Sequence, residues 1–313
     1  MRIAIYGTGG AGGYFGAHLA RAGEDVVFIA RGLHLRAIQE RGLRVETPVG
    51  EILVRPARAT DDPAEAGEVD VVILGVKTWQ VSEAARAMQP MIGRETFVVP
   101  LQNGVEAATQ LAGVLGPNRV LGGLCATFSQ VAGPGHIRSV GDMHFIKFGE
   151  LSNRPSDRAE RLRQTFERAG VRASIPPDIQ VALWEKLLLV AGYGGPGAVA
   201  RAPVGVIREL PETRRMVERC MREIFAVARA RHVALADGSV EKTMGLLDSL
   251  VPSGTTSLQR DIAAGKPSEL DAWNGAVLRL GQESGVATPL NEFIYHSLLP
   301  WELRARGKVQ FPE

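Results

Sequence analysis

The first half of the chain alternates short, densely apolar runs with amphipathic stretches. The runs at 3–6, 26–30, 69–76, 96–101 and 120–125 are β-branched or otherwise apolar on nearly every residue. That pattern suits strands of a parallel sheet covered on both faces. The stretches at 11–22 and 81–88 carry helical spacing, and strand–helix–strand alternation predicts a doubly wound α/β domain. A run at 144–149, a turn at 151–155, a charged helix at 156–169 and a last short strand at 171–175 complete this unit. From about 176 the period changes. Helices are predicted at 179–190, 212–231, 240–250, 270–284 and 291–299, most of them separated by Gly or Pro, with no strand pattern of comparable strength. The expectation is an α/β domain over 1–175 and a second, mostly helical domain over 176–313.

Composition agrees with two ordinary folded domains. A chain of 313 residues favours two domains over one and can bury a large core. Its 36 Lys+Arg against 34 Asp+Glu leave a net charge of +2, which argues against a nucleic-acid partner. The 45% hydrophobic content with 22% charged residues excludes a disordered chain. Cys125 and Cys220 cannot make a disulfide framework, so a reducing, cytoplasmic compartment is expected. The apolar run at 3–6 is too short for a signal peptide. No segment approaches the roughly 20 apolar residues of a membrane span. The six histidines are scattered without metal-ligand spacing, and no metal is expected.

Gly7-Thr8-Gly9-Gly10-Ala11-Gly12 fits GxGxxG between a predicted strand and a predicted helix. Gly7 permits the tight turn, Gly9 lets backbone approach a pyrophosphate, and Gly12 allows close helix–strand packing. The helix start then turns unpaired N–H groups toward the phosphates. The second strand ends at Arg31, where an NAD-binding domain usually presents an acid to the ribose. A guanidinium there grips a 2′-phosphate instead, so NADPH/NADP+ is the expected cofactor.

Further segments carry a resemblance. They are Gly75-Val76-Lys77-Thr78-Trp79-Gln80, Leu101-Gln102-Asn103-Gly104, Leu183-Trp184-Glu185-Lys186-Leu187, Thr256-Ser257-Leu258-Gln259-Arg260-Asp261, and Gly265-Lys266-Pro267-Ser268-Glu269-Leu270-Asp271 followed by Asn274-Gly275. In this order and spacing, nearly end to end, the chain resembles the ketopantoate reductase (2-dehydropantoate 2-reductase) family. The resemblance implies an N-terminal Rossmann domain, a helical C-terminal domain, and NADPH-dependent reduction of a small-molecule 2-keto acid between them. It implies Lys186 as general acid for the oxygen that gains charge on hydride attack. Glu269 would hold the substrate hydroxyl and, with Lys77 and Asn103, touch cofactor as well as substrate. Ser257 would contact substrate, and Asp261 would act from behind the site or serve the structure.

The chain also departs from the family pattern. Asparagines commonly follow the lysine four and eight residues later, and here those positions are Val190 and Gly194. The substrate wall is expected to be more apolar, with Tyr193 as one hydroxyl that could compensate. The leading substrate is 2-dehydropantoate, reduced to (R)-pantoate. The alternatives are a paralogue acting on a bulkier, more apolar 2-keto or 2-hydroxy acid, and a non-catalytic NADP(H) sensor. The apolar helices of the second half are compatible with either a homodimer interface or packing within one chain.

Overall fold

The computed structural model describes residues 1–312; Glu313, the last residue of the expected helical domain, lies outside the described residues. Among the described residues there are ten strands: β1 (Arg2–Tyr6), β2 (Asp25–Ile29), β3 (Leu43–Thr47), β4 (Gly50–Val54), β5 (Arg58–Thr60), β6 (Val69–Leu74), β7 (Ile92–Pro100), β8 (Leu121–Gly133), β9 (His136–Glu150) and β10 (Arg172–Ser174). The helices of the first half are α1 (Gly10–Arg21), α2 (Gly32–Arg41), α3 (Pro63–Ala66), α4 (Val81–Ala87), α5 (Ala107–Leu115) and α6 (Asp157–Arg168). Those of the second half are α7 (Ile179–Ala200), α8 (Val204–Glu209), α9 (Pro211–Ala230), α10 (Ser239–Ser249), α11 (Ser257–Ala263), α12 (Ala276–Glu283) and α13 (Pro289–Ala305).

The chain divides into two compact units. One comprises Met1–Gln102 with Ala107–Ile179, the other Asn103–Glu106 with the residues from 180 onward. In the first, β5-β2-β1-β6-β7 form a five-stranded sheet in which every pairing is parallel. Period-2 alternation of apolar residues covers both faces. Ile3 and Ile5 of β1 pack with Phe15 and Leu19 of α1, whereas Ala4 and Tyr6 join Val81 and Ala85 of α4. The strand order reverses between β1 and β6, the place where open α/β sheets bind ligands beyond their strand ends. This is the Rossmann-type architecture expected from the sequence.

A second, mixed sheet belongs to the same unit, in the order β10-β9-β3-β4 with β8 antiparallel to β9. It corrects one expectation. The run at 120–125 is not a further strand of the parallel sheet; it starts β8 and pairs antiparallel with the run at 144–149 at the open end of the β8–β9 hairpin. An isolated parallel bridge, Val98 to Val120, joins β7 to the residue before β8. The small strands β3, β4 and β5 and the helix α2 had no counterpart in the apolar pattern, because charged residues interrupt them.

The second unit is helical. Among its described residues no strand occurs. Its core gathers Leu187, Leu188 and Ala191 of α7, Cys220 and Ile224 of α9, Leu258 of α11, and Trp273. Helix α7 runs well past the predicted end at 190, through four glycines and Pro196. The glycines are where neighbours approach closely: a Cβ on Gly192 would meet Met221, one on Gly195 would meet Asn274, and one on Gly197 would meet Gln259. A π-turn at Asp271–Gly275 precedes α12, splitting the helix predicted over 270–284. Among the described residues, no helix is long and apolar enough to cross a membrane.

Candidate active site

The chain leaves β1 into the glycine loop. Gly7 has φ +99°, and a Cβ there would lie 2.7 Å from the Val76 nitrogen, so conformation and space both require glycine. A Cβ on Gly12 would overlap the Gly7 carbonyl oxygen, and one on Gly10 would overlap the Ser129 carbonyl of β8. Gly9 is different: no atom lies within 4 Å of its Cβ direction. It stands at the start of α1 in extended conformation, with no side chain capping the helix. The first N–H groups of α1, from Gly10 and the half-buried Ala11 onward, therefore meet no side-chain cap and suit an anion. Thr8 serves the loop by its backbone, since its buried hydroxyl donates to the Ile29 carbonyl at 3.0 Å.

Arg31 follows β2 at the N-cap of α2. Its guanidinium lies 3.9 Å from Glu83, with both side chains about two-thirds exposed. Such a pair is weak and leaves the cation available to another anion. Burial raises the pKa of the neighbouring Tyr6 phenol, and Arg31 opposes that shift. The glycine loop, Arg31 and the segment after β6 thus gather at the C-terminal ends of β1, β2 and β6.

Lys77 lies in that last segment, exposed, with its Nζ 5.9 Å from the Trp79 ring centre. Gln102, to which the sequence reading gave no role, organises the strand ends here. Its buried Nε2 donates to the carbonyls of Leu74 (3.0 Å) and Val76 (2.7 Å), locking the exit of β7 to the exit of β6. Only its place between Leu101 and Asn103 could have pointed to it.

The next four residues belong to the helical unit. Gly104 has φ +100°, and a Cβ there would lie 2.8 Å from the Ala272 carbonyl oxygen. Arg279 bonds both Glu106 and Asp271 at 2.8 Å. This anchoring brings Asn103 to Glu269, 166 residues away in sequence: Asn103 Nδ2 donates to Glu269 Oε2 at 3.2 Å. Glu269 is 7% exposed, and its backbone carbonyl accepts from the N–H groups of Ala272 and Trp273, both at 3.1 Å. Two residues with shared expected roles therefore meet directly.

The remaining expected residues sit on two helices of the same unit, Lys186 on α7 and both Ser257 and Asp261 on α11. Lys186 is half-buried on α7, between buried Trp184 and Leu187. Ser257 opens α11, immediately after Thr256, which caps that helix reciprocally with Gln259. Asp261 is half-buried, and its backbone carbonyl accepts from the Lys266 N–H at 2.8 Å.

Both departures from the family pattern have a structural setting. Val190 is half-buried among apolar neighbours. Gly194 is closed off: a Cβ there would lie 2.9 Å from both Thr256 Oγ1 and Trp273 Cζ3. Tyr193 is buried in the helical core, and burial pushes its phenol up to about 12, with Arg260 opposing the shift.

Comparison with known proteins covers almost the whole chain. The family models described as ketopantoate reductase PanE/ApbA and its C-terminal part match residues 3–153 and 178–300. A 2-dehydropantoate 2-reductase of Mesorhizobium japonicum is 33% identical over 92% of this chain and 94% of its own length. The crystal structure of a 2-dehydropantoate 2-reductase from Geobacter metallireducens is 32% identical and superposes with a TM-score of 0.89, over 96% of this chain and 99% of that one. A D-mandelate dehydrogenase solved with NADH and anilino(oxo)acetate shares the fold at 22% identity, with a TM-score of 0.89 over 98% of this chain and all of that one. This chain belongs to the ketopantoate reductase family.

Proposed function

We propose that the protein is an NADPH-dependent reductase of a 2-keto acid, with 2-dehydropantoate as leading substrate and (R)-pantoate as product. The observation that carries the cofactor half is the glycine loop: three glycines are demanded by packing, while Gly9 alone faces open space at an uncapped helix start. These residues fit a dinucleotide pyrophosphate, and the exposed Arg31 fits a 2′-phosphate. When bound, the reduced nicotinamide supplies the hydride.

The chain's own residues do the rest. Lys186 holds a proton and gives it to the ketone oxygen as negative charge builds there, so that no free alkoxide forms. Glu269 accepts a hydrogen bond from the substrate hydroxyl, and Asn103, bonded to the same carboxylate, fixes its orientation. Ser257 and Lys77 add a hydroxyl and a cation for the substrate carboxylate, and Lys77 also reaches the cofactor. The test is spectrophotometric NADPH oxidation with 2-dehydropantoate. Turnover with a clear preference for NADPH over NADH is the expected result, and inertness toward every 2-keto acid tried would overturn the reading.

One observation favours a second substrate. Thr256 and Trp273 fill the space at Gly194 where the family commonly carries an amide, and Val190 adds no polar group. A pocket lacking both amides favours a bulkier, more apolar 2-keto acid over one that needs those hydrogen bonds. A substrate panel ranked by kcat/KM separates the two.

A further inference from the structure

We propose that His34 is a positioning residue for the dinucleotide: it presets the phosphate-binding form of the glycine loop by clamping Thr8 to the turn of the β8–β9 hairpin. The proposal rests on the dinucleotide reading of residues 7–12. His34 stands in the first turn of α2, three residues after Arg31. Its Nε2 lies 2.8 Å from the Thr8 carbonyl oxygen, and its Nδ1 lies 3.0 Å from the Gly135 amide nitrogen. A backbone N–H only donates and a carbonyl only accepts. The pair of partners therefore selects one form of the ring, with the lone pair on Nδ1 and the proton on Nε2. An imidazolium, with protons on both nitrogens, cannot serve both.

The clamp acts on the peptide that matters. The Thr8 N–H and hydroxyl both donate to the Ile29 carbonyl, at 3.1 and 3.0 Å, so His34 supplies the third tether on the same residue. In a trans peptide the carbonyl and the following N–H point opposite ways. Holding the Thr8 oxygen toward α2 thus turns the Gly9 N–H away from it, at the glycine of the 7–12 loop whose face is open.

The other end of the clamp is itself fixed. The Gly135 carbonyl accepts from the Arg44 N–H at 2.9 Å. Gly135 has φ +72°, and a Cβ there would lie 3.0 Å from the Ala37 Cβ of α2. Burial lowers the His34 pKa, which keeps the ring in the neutral form that the clamp needs, while the backbone carbonyls of Thr8 and of nearby Gly133 oppose that shift.

The experiment compares His34→Leu, His34→Gln and wild-type full-length protein. It measures NADPH affinity by calorimetry and, without ligand, amide hydrogen exchange across residues 7–12. Gln retains a donor for the Thr8 carbonyl, whereas Leu keeps bulk and loses both bonds. The expected result is about tenfold weaker NADPH binding for Leu, as follows from one lost hydrogen bond at a buried carbonyl, and binding within about threefold of wild type for Gln. Exchange at 7–12 should rise in Leu and not in Gln. Wild-type affinity and exchange in the Leu variant would overturn the clamp, as would a Gln variant as weak as Leu. Failure of the wild-type protein to bind NADPH would instead sink the dinucleotide reading, and the proposed role of His34 with it. That outcome is distinguished from a clamp failure because exchange in the unliganded protein still reports whether His34 holds the loop.

Discussion

Alanine at Gly9 and alanine at Gly12 should have opposite consequences, although both change one loop by one methyl. At Gly12 the new Cβ would run into the Gly7 carbonyl oxygen and sit 3.1 Å from Ile5 Cγ2. A backbone oxygen cannot swing away as a side chain can, so β1 and α1 must separate. Overpacking costs about 1–3 kcal/mol, and an overlap with a backbone atom falls at the upper end, about 2–3 kcal/mol, offset by about 1 kcal/mol of helix propensity gained on replacing glycine. A net loss of about 1–2 kcal/mol lowers Tm by about 2–8 °C in a unit of this size. At Gly9 no atom lies within 4 Å of the added methyl, and the backbone, at φ −82° and ψ −160°, is one that alanine adopts freely. Stability should stay within about 0.5 kcal/mol of wild type. The methyl would instead stand where a pyrophosphate approaches, and the same overpacking magnitude applied to the complex weakens NADPH by about tenfold or more. Thermal denaturation and calorimetric titration of both variants read the two effects separately. A Gly9→Ala protein that binds NADPH like wild type would refute the placement of phosphate on this loop. A Gly12→Ala protein with unchanged Tm would refute the packing argument.

Three further outcomes are expected. Arg31→Ala should weaken NADPH about tenfold or more while leaving NADH nearly unchanged, since a charge-assisted bond to phosphate is worth about 1.5–3 kcal/mol; equal losses for both dinucleotides, read by titration, would contradict the role given to Arg31. Gly194→Asn should destabilise the fold by about 1–3 kcal/mol through overlap with Thr256 and Trp273, measured by denaturant unfolding, and should not raise kcat/KM on 2-dehydropantoate; a gain in that ratio without loss of stability would show that the space is open. Burial lowers the pKa of both His18 and His34 below the ordinary value of 6.5. For such groups the unfolded state binds more protons than the folded one. Their contribution to stability is complete above pH 6.5 and is lost as pH falls through their lowered values, so Tm should drop on mild acidification, and less so in His34→Gln.

The glycine loop and its strand–helix setting were legible in the sequence because their requirements are local. A turn that needs positive φ, a helix packed on a strand end and a cation at the next strand end lie within 25 residues of one another, from Gly7 to Arg31. The parallel strands were legible as well, since burial on both faces leaves unbroken apolar runs such as Val71-Val72-Ile73-Leu74. The β8–β9 hairpin was not. Its distal half is exposed on one face, with Phe128 opposite Val140 and Gln130 opposite Arg138, and this dilutes the apolar signal between the runs at 120–125 and 144–149. The strands β3 and β4 alternate Leu43, Val45 and Ile52 with Arg44, Glu46 and Glu51, a half-buried pattern too short to stand out. Contacts across long sequence separation were invisible by nature. Asn103 meeting Glu269, Gln102 bridging two strand ends, and Thr256 closing the space at Gly194 all depend on which segments the fold brings together. The motif match singled out Asn103 and Glu269, but it could not say that they bond each other.

The most direct measurement of the central claim is single-turnover NADPH oxidation by wild type and Lys186→Ala, each saturated with the best 2-keto acid of the panel. With Lys186 as proton donor, the variant should bind NADPH as wild type does and lose about 10²–10⁴-fold in the chemical step. A variant that oxidises NADPH at the wild-type rate would contradict it.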